Sequence, residues 1–164
     1  MKKTIVLLPG DGIGPEVSRA AATILRETAH EFNHEFEFRE LPIGGAAIDA
    51  YGTPLPDETL DACRKADAVF LGAVGGPKWD SLPVGKRPES GLLGLRKGLG
   101  LYVNVRPVKL LEPLKGISPL KPDRLGDLDL EIVRELGHAQ ALFFFVCWTS
   151  FVTVGDIRAP RLTQ

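Results

Sequence analysis

Cysteine is scarce and badly spaced for covalent or metal chemistry. Cys63 and Cys147 stand far apart with no CxxC or CxxxH spacing, which excludes a disulfide framework and a thiolate zinc site and points to a reducing, cytoplasmic setting. Excess charge of either sign is also lacking, with 20 basic side chains against 21 acidic ones. Without a basic patch there is no electrostatic footprint for nucleic acid or an anionic membrane, so small molecules or proteins are the expected partners. Long apolar runs are missing too. The early stretch "TIVLL" stops at Pro9, Gly10 and Asp11, short of the ~7–15 residues of an export-signal core. Ala141–Val154 contains Thr149, Ser150 and Thr153 and falls short of the ~20 residues that cross a bilayer. Charge itself runs out near the end: after Leu136 only Asp156, Arg158 and Arg161 carry any.

The 164 residues present are enough for one domain with a real core, and too few for two full ones. Residues 4–8 are β-branched and leucine-rich with no polar alternation, as in a strand buried on both faces, and "PGDGIGPE" ends it. Pro15 suits a first helical turn, and Val17, Ala20, Ala21, Ile24, Leu25 and Thr28 recur at helical spacing to about His30. "FEFREL" (36–41) alternates as a strand, 56–67 reads as a helix, and "AVFLGAVGG" (68–76) as a second buried strand. This β-α-β-α-β order predicts an α/β fold with a mainly parallel sheet and ligand sites at the carboxyl ends of its strands. Further on, a short helix over "ESGLLGLRKGLG" brings Leu92, Leu95 and Arg96 near one face. Strands are expected at 101–108 and 128–136, with a proline-rich loop that has room for a strand turn at 110–126.

Several motifs have two readings. "GDGIG" (Gly10–Gly14) lets backbone approach a phosphate at a helix N-terminus, yet it is not GxGxxG, and a tight turn needing positive φ explains it equally. "GAVGGPKWDSL" (72–82) offers close backbone approach and a Lys78-Trp79-Asp80 cluster, or a plain turn capped by a packed tryptophan. Arg96, Arg106 and Arg134 sit near the ends of their elements, where guanidinium forks can converge on a polyanion; singly, each is also an ordinary surface arginine. His30, His34 and His138 show no ligand spacing. Asp57, Glu58 and Asp61 fit a helix N-terminal turn rather than an acid/base pair.

Five segments in order settle more than pattern does: "VLLPGDGIGPEV", "GGAAIDAYGTPLP", "GAVGGPKWDSLP", "RPESGLLGLRKGLGLYVNVRPVK" and "EIVREL". From Lys3 to about Leu136 the chain closely resembles the 3-isopropylmalate dehydrogenases of the isocitrate/isopropylmalate dehydrogenase family. The sister enzymes acting on isocitrate, homoisocitrate or tartrate are the alternative. They usually place a hydroxyl residue where Leu92 stands, and Leu92 suits a branched alkyl group by a contact worth ~1–3 kcal/mol of discrimination.

The resemblance implies a three-layer, parallel-rich α/β fold that is not of the GxGxxG Rossmann type and is incomplete here. Residues 1–100 match the first domain, 101–136 the start of the second, and 137–164 neither. Arg96, Arg106 and Arg134 match the arginines that grip the malate carboxylates, and Leu92 the residue touching the isopropyl group. Gly75, Gly76, Pro77, Lys78, Trp79, Asp80 and Glu89 match the NAD-binding segment. The implied reaction is NAD-dependent oxidation of 3-isopropylmalate with loss of CO2 to 4-methyl-2-oxopentanoate, in leucine biosynthesis. A divalent cation (Mg2+ or Mn2+) assists, and the full-length enzymes are homodimers.

Family members follow the "REL" element with a Thr-Gly-Gly stretch and a catalytic tyrosine, then a lysine base and metal-binding aspartates. Here no lysine follows Lys121, no tyrosine follows Tyr102, and after Asp129 the sole aspartate is Asp156. The expectation is therefore a chain without its own acid-base and metal groups, inactive alone, whose tail is foreign to the family, as from a shifted frame or a misplaced gene end. The alternatives are a non-catalytic NAD- or carboxylate-binding module, an aggregation-prone product, or a tail that packs as a real core segment.

Overall fold

The computed structural model describes residues 1–119 and 129–136, so the expectations for the tail 137–164 and for 120–128 lie outside the described residues. The chain divides into two compact units, Met1–Gly100 and a second beginning at Leu101.

The first unit is built around strand β1 (Lys2–Gly10), which pairs in parallel with β2 (Glu35–Glu40) on one side and β3 (Ala68–Ala73) on the other, giving the order β2-β1-β3. As the central strand, β1 faces protein on both sides. Ile5 and Leu7 pack with Ala22 of helix α1 (Gly14–Glu31), and Phe36, Phe38 and Phe70 flank them. Val6 and Leu8 point the other way, into a cluster with Ile43, with Ala62 and Cys63 of helix α3 (Asp57–Lys65), and with Leu95 of helix α4 (Pro88–Gly98). Burial on both faces is why its sequence shows no polar alternation. It also shelters Cys63, whose thiol is pushed up by that burial. Between β2 and α3 lies a short helix, α2 (Gly45–Tyr51), whose seven residues the periodicity did not reveal.

α1 corrects the sequence reading in detail. Its buried residues are Gly14, Ser18, Ala22 and Ala29, whereas Val17 and Ile24 are exposed. Small side chains at this spacing let the helix lie close on the sheet, and the larger apolar residues are displaced to the outer shoulder. β3 is half-buried rather than enclosed on both faces. In α3, Asp57 and Glu58 occupy the first turn as expected, while Asp61 sits one turn later, bonded to Arg64 at 3.1 Å.

In the second unit β4 (Val103–Lys109) pairs antiparallel with β5 (Asp129–Glu135) in a two-stranded ribbon. Part of the expected proline-rich loop winds into a 3-10 turn at Glu112–Ile117.

Candidate functional site

The connections that leave the carboxyl ends of β1, β2 and β3 meet at one residue. Asp11 follows β1 directly; Gly10 (φ +73°) makes the bend, and a side chain there would collide with the Ala73 carbonyl. The Asp11 backbone N–H donates to that carbonyl at 2.6 Å. Its side chain, in a residue only 4% exposed, accepts three more backbone donors. Gly45 and Gly75 N–H reach Oδ2 at 2.7 and 2.9 Å, and Ala46 N–H reaches Oδ1 at 2.7 Å. A buried carboxylate is tolerated when its lone pairs are filled by charge-assisted bonds. Two of the donors are the first N–H groups of α2, so a residue 34 positions away caps that helix in place of a local Ser, Thr or Asp.

The segment after β3 carries the residues expected to face a cofactor. Gly75 and Gly76 are half-buried, Pro77–Trp79 form a single 3-10 turn, and Lys78 and Asp80 are exposed. The Trp79 indole lies against the start of α2: a Cβ on Gly45 would clash with its Cη2, Cζ2 and Cε2 atoms, so the backbone must be bare there. Asp49, one turn along α2, holds the loop from its outer side. Lys78 Nζ donates to Asp49 Oδ2 at 2.6 Å and Trp79 Nε1 to Oδ1 at 3.2 Å, with the Lys78 ammonium 5.2 Å from the Trp79 ring. The Lys78 bond holds the Asp49 carboxyl below its ordinary value, against a smaller opposing cost of burial.

α4 supplies the next surface. Pro88, Gly91 and Leu95 are buried, and Leu92 and Arg96, one position further round, are half-buried. Glu89, Leu92 and Arg96 thus share a helical stripe at i, i+3 and i+7. Glu89 marks its loop end, with Oε1 2.7 Å from where a Cβ on Gly75 would sit. Loop 75–80 and the α4 stripe therefore adjoin within the first unit. Arg106 and Arg134 belong to the second unit. Asn104 pairs with Arg134 and Arg106 with Ile132, so both arginines lie on one ribbon face, and Arg106 Nε donates to Asn104 Oδ1 at 2.9 Å. Both are exposed.

Among the described residues no three His, Cys, Asp or Glu side chains assemble into a metal-binding group. An open hollow of about 560 Å³ lined by Met1, Lys2, His30, Asn33, His34 and Glu35 lies at the amino ends of β1 and β2, away from the loops where α/β sheets bind ligands. Sequence reasoning missed Asp11, Gly45 and Asp49 as loop-holding groups. The one signal available was "IGGAAID", a bare helix start with a carboxylate one turn on.

A sequence profile described as isocitrate/isopropylmalate dehydrogenase matches residues 4–140. The chain belongs to that family. Within it, the 3-isopropylmalate dehydrogenases of Oceanobacillus iheyensis and Bacillus subtilis are each 59% identical over 136 residues, 83% of this chain. Their full lengths are greater, and the chain spans 37% of each. Among solved structures, an isocitrate dehydrogenase from Methylococcus capsulatus superposes with a TM-score of 0.64 at 34% identity, covering 82% of this chain and 35% of that one. A β-decarboxylating dehydrogenase from Thermococcus kodakarensis gives 0.61 at 33% identity, covering 82% and 34%. The parallel sheet described above is thus part of the family's α/β fold.

Proposed function

We propose that this chain supplies the cofactor loop and acid-binding surface of an NAD-dependent dehydrogenase that converts 3-isopropylmalate to 4-methyl-2-oxopentanoate and CO2, a cytoplasmic, homodimeric enzyme of leucine biosynthesis in its full-length form. The observation that carries this reading is the juxtaposition of loop 75–80 with the Glu89–Leu92–Arg96 stripe. It supports the reading because the segment that resembles the family's nicotinamide loop adjoins Leu92 and Arg96, which resemble its substrate-facing residues.

The chemistry divides by residue type. Arg96 of the first unit, and Arg106 and Arg134 of the second, each offer a planar fork of the kind that binds carboxylates bidentately. Leu92 gives the isopropyl group an apolar surface, which favours it over a carboxymethyl group at the same place. NAD, when bound, accepts the hydride from the 2-hydroxyl carbon. Gly75 and Gly76 let the backbone come close to it, while Lys78, Asp80 and Glu89 offer polar contacts. The described residues do not fit a divalent cation, because no cluster of ligating side chains forms among them. No step through Mg2+ or Mn2+ is therefore assigned to this chain. No described helix is long and apolar enough to cross a membrane.

Binding without turnover is the expected behaviour of the 164-residue polypeptide. In a steady-state assay with NAD+, Mg2+ and 3-isopropylmalate, NADH formation should stay at the blank. Calorimetry should detect NAD+ or 3-isopropylmalate at millimolar concentration. Turnover above blank would overturn the catalytic part of the reading, and absence of heat with both ligands would overturn the binding part.

A further inference from the structure

We infer that Asp11 is a positioning residue for the Gly75–Asp80 loop, fixing where that loop can present its backbone to a dinucleotide; this rests on the reading of the loop as the cofactor segment. Asp11 touches the loop at its root. Its Oδ2 accepts from Gly75 N–H at 2.9 Å and from Gly45 N–H at 2.7 Å, so one oxygen sets the separation between the loop root and the start of α2. Trp79 rests on Gly45, the residue that the same oxygen holds. The loop is thus registered on α2 at two points, by Asp11 at Gly75 and by Asp49 at Lys78 and Trp79.

A carboxylate is required at position 11 because all three partners are donors. An asparagine has one accepting oxygen. With that oxygen in the Oδ2 place, its NH2 group opposes the Ala46 N–H; turned round, it opposes both Gly45 and Gly75. Either way a buried donor loses its acceptor, which costs more than the bond itself contributes. Asp67 provides the contrast. It also accepts a backbone N–H, from Thr4 at 2.9 Å, and an ammonium, from Lys3 at 2.7 Å, but at the amino-end side of the sheet, far from the loop.

Trp79 reports the outcome directly. The chain has two tryptophans, so Trp148→Phe leaves Trp79 as the single emitter. In that background the full-length chain is compared with Asp11→Asn and Asp67→Asn, without ligand and below the melting temperature, by emission maximum and acrylamide quenching. Asp11→Asn should shift Trp79 emission to longer wavelength and raise quenching, with far-UV circular dichroism unchanged. Asp67→Asn should lower the melting temperature and leave Trp79 as it was. In NAD+ titrations Asp11→Asn should weaken binding by about tenfold, as expected for one unmade buried hydrogen bond.

A merely structural Asp11 would behave as Asp67 does, and an unaltered Trp79 signal in folded Asp11→Asn overturns the inference. Should that variant not fold, Gly75 amide exchange in the unsubstituted chain decides. Strong protection supports the assignment, and exchange at the rate of an open amide overturns it. If the unsubstituted chain takes up no NAD+, the functional reading falls, while the ligand-free Trp79 signal still judges Asp11.

Discussion

The hydrogen on the Gly45 α-carbon is what lets Trp79 lie against α2, since even a methyl group would occupy the ring's place. Gly45→Ala is therefore expected to lift the indole and shift its emission to longer wavelength, read in the Trp148→Phe chain. An unshifted spectrum would mean that the helix, rather than the ring, gives way. Asp49 adds a pH dependence whose sign follows from its lowered pKa. A carboxyl with a folded pKa below its unfolded one stabilises the fold above the unfolded value, and that contribution is lost as pH falls through the folded value. The change in Trp79 emission should thus have its midpoint below 3.8, the ordinary value, as Asp49 takes up a proton and releases Lys78. None of these side-chain partnerships was legible in the sequence. Asp11 lies 34 and 64 positions from Gly45 and Gly75. Turn chemistry around Gly10 showed a bend but not what its carboxylate would meet.

Elements were legible to the degree that their own residues determine them. β1 could be read because both of its faces are buried, and α4 because proline opens it and leucines recur along it. α2 could not, being seven residues long between Gly44 and Gly52 and capped by a distant side chain. α1 was legible as a helix but not in its facing, since periodicity weighs Val17 and Ile24 above glycine, serine and alanine. The structure instead predicts opposite outcomes on its two sides. Ile24→Ser, at a residue 67% exposed, should change unfolding free energy in urea by no more than about 0.5 kcal/mol. Ala22→Leu, against Ile5 and Leu7, should cost ~1–3 kcal/mol through overpacking. Equal effects would mean that the helix is turned otherwise.

At the scale of the molecule, the five ordered motifs made the family legible, because they record loops whose shapes a dehydrogenase cleft needs. The arrangement of the arginines was less so: the register places Arg106 and Arg134 on one ribbon face, a pairing that linear spacing does not disclose. The two units also differ in how much they bury. β1 is enclosed, whereas Val105, Val108, Ile132 and Val133 of the ribbon are all exposed. Two-stranded sheets are marginal alone, so β4 and β5 amides should exchange by local opening well before those of Ile5–Leu8, as read by hydrogen-exchange mass spectrometry. Equal protection in both would contradict this. Cys63, finally, sits beneath the sheet with its thiol held in the protonated form by burial. A sulfur so enclosed meets an alkylating reagent only while the surrounding core has parted, so its rate of modification is a clock, written into the chain, for how often the first unit breathes.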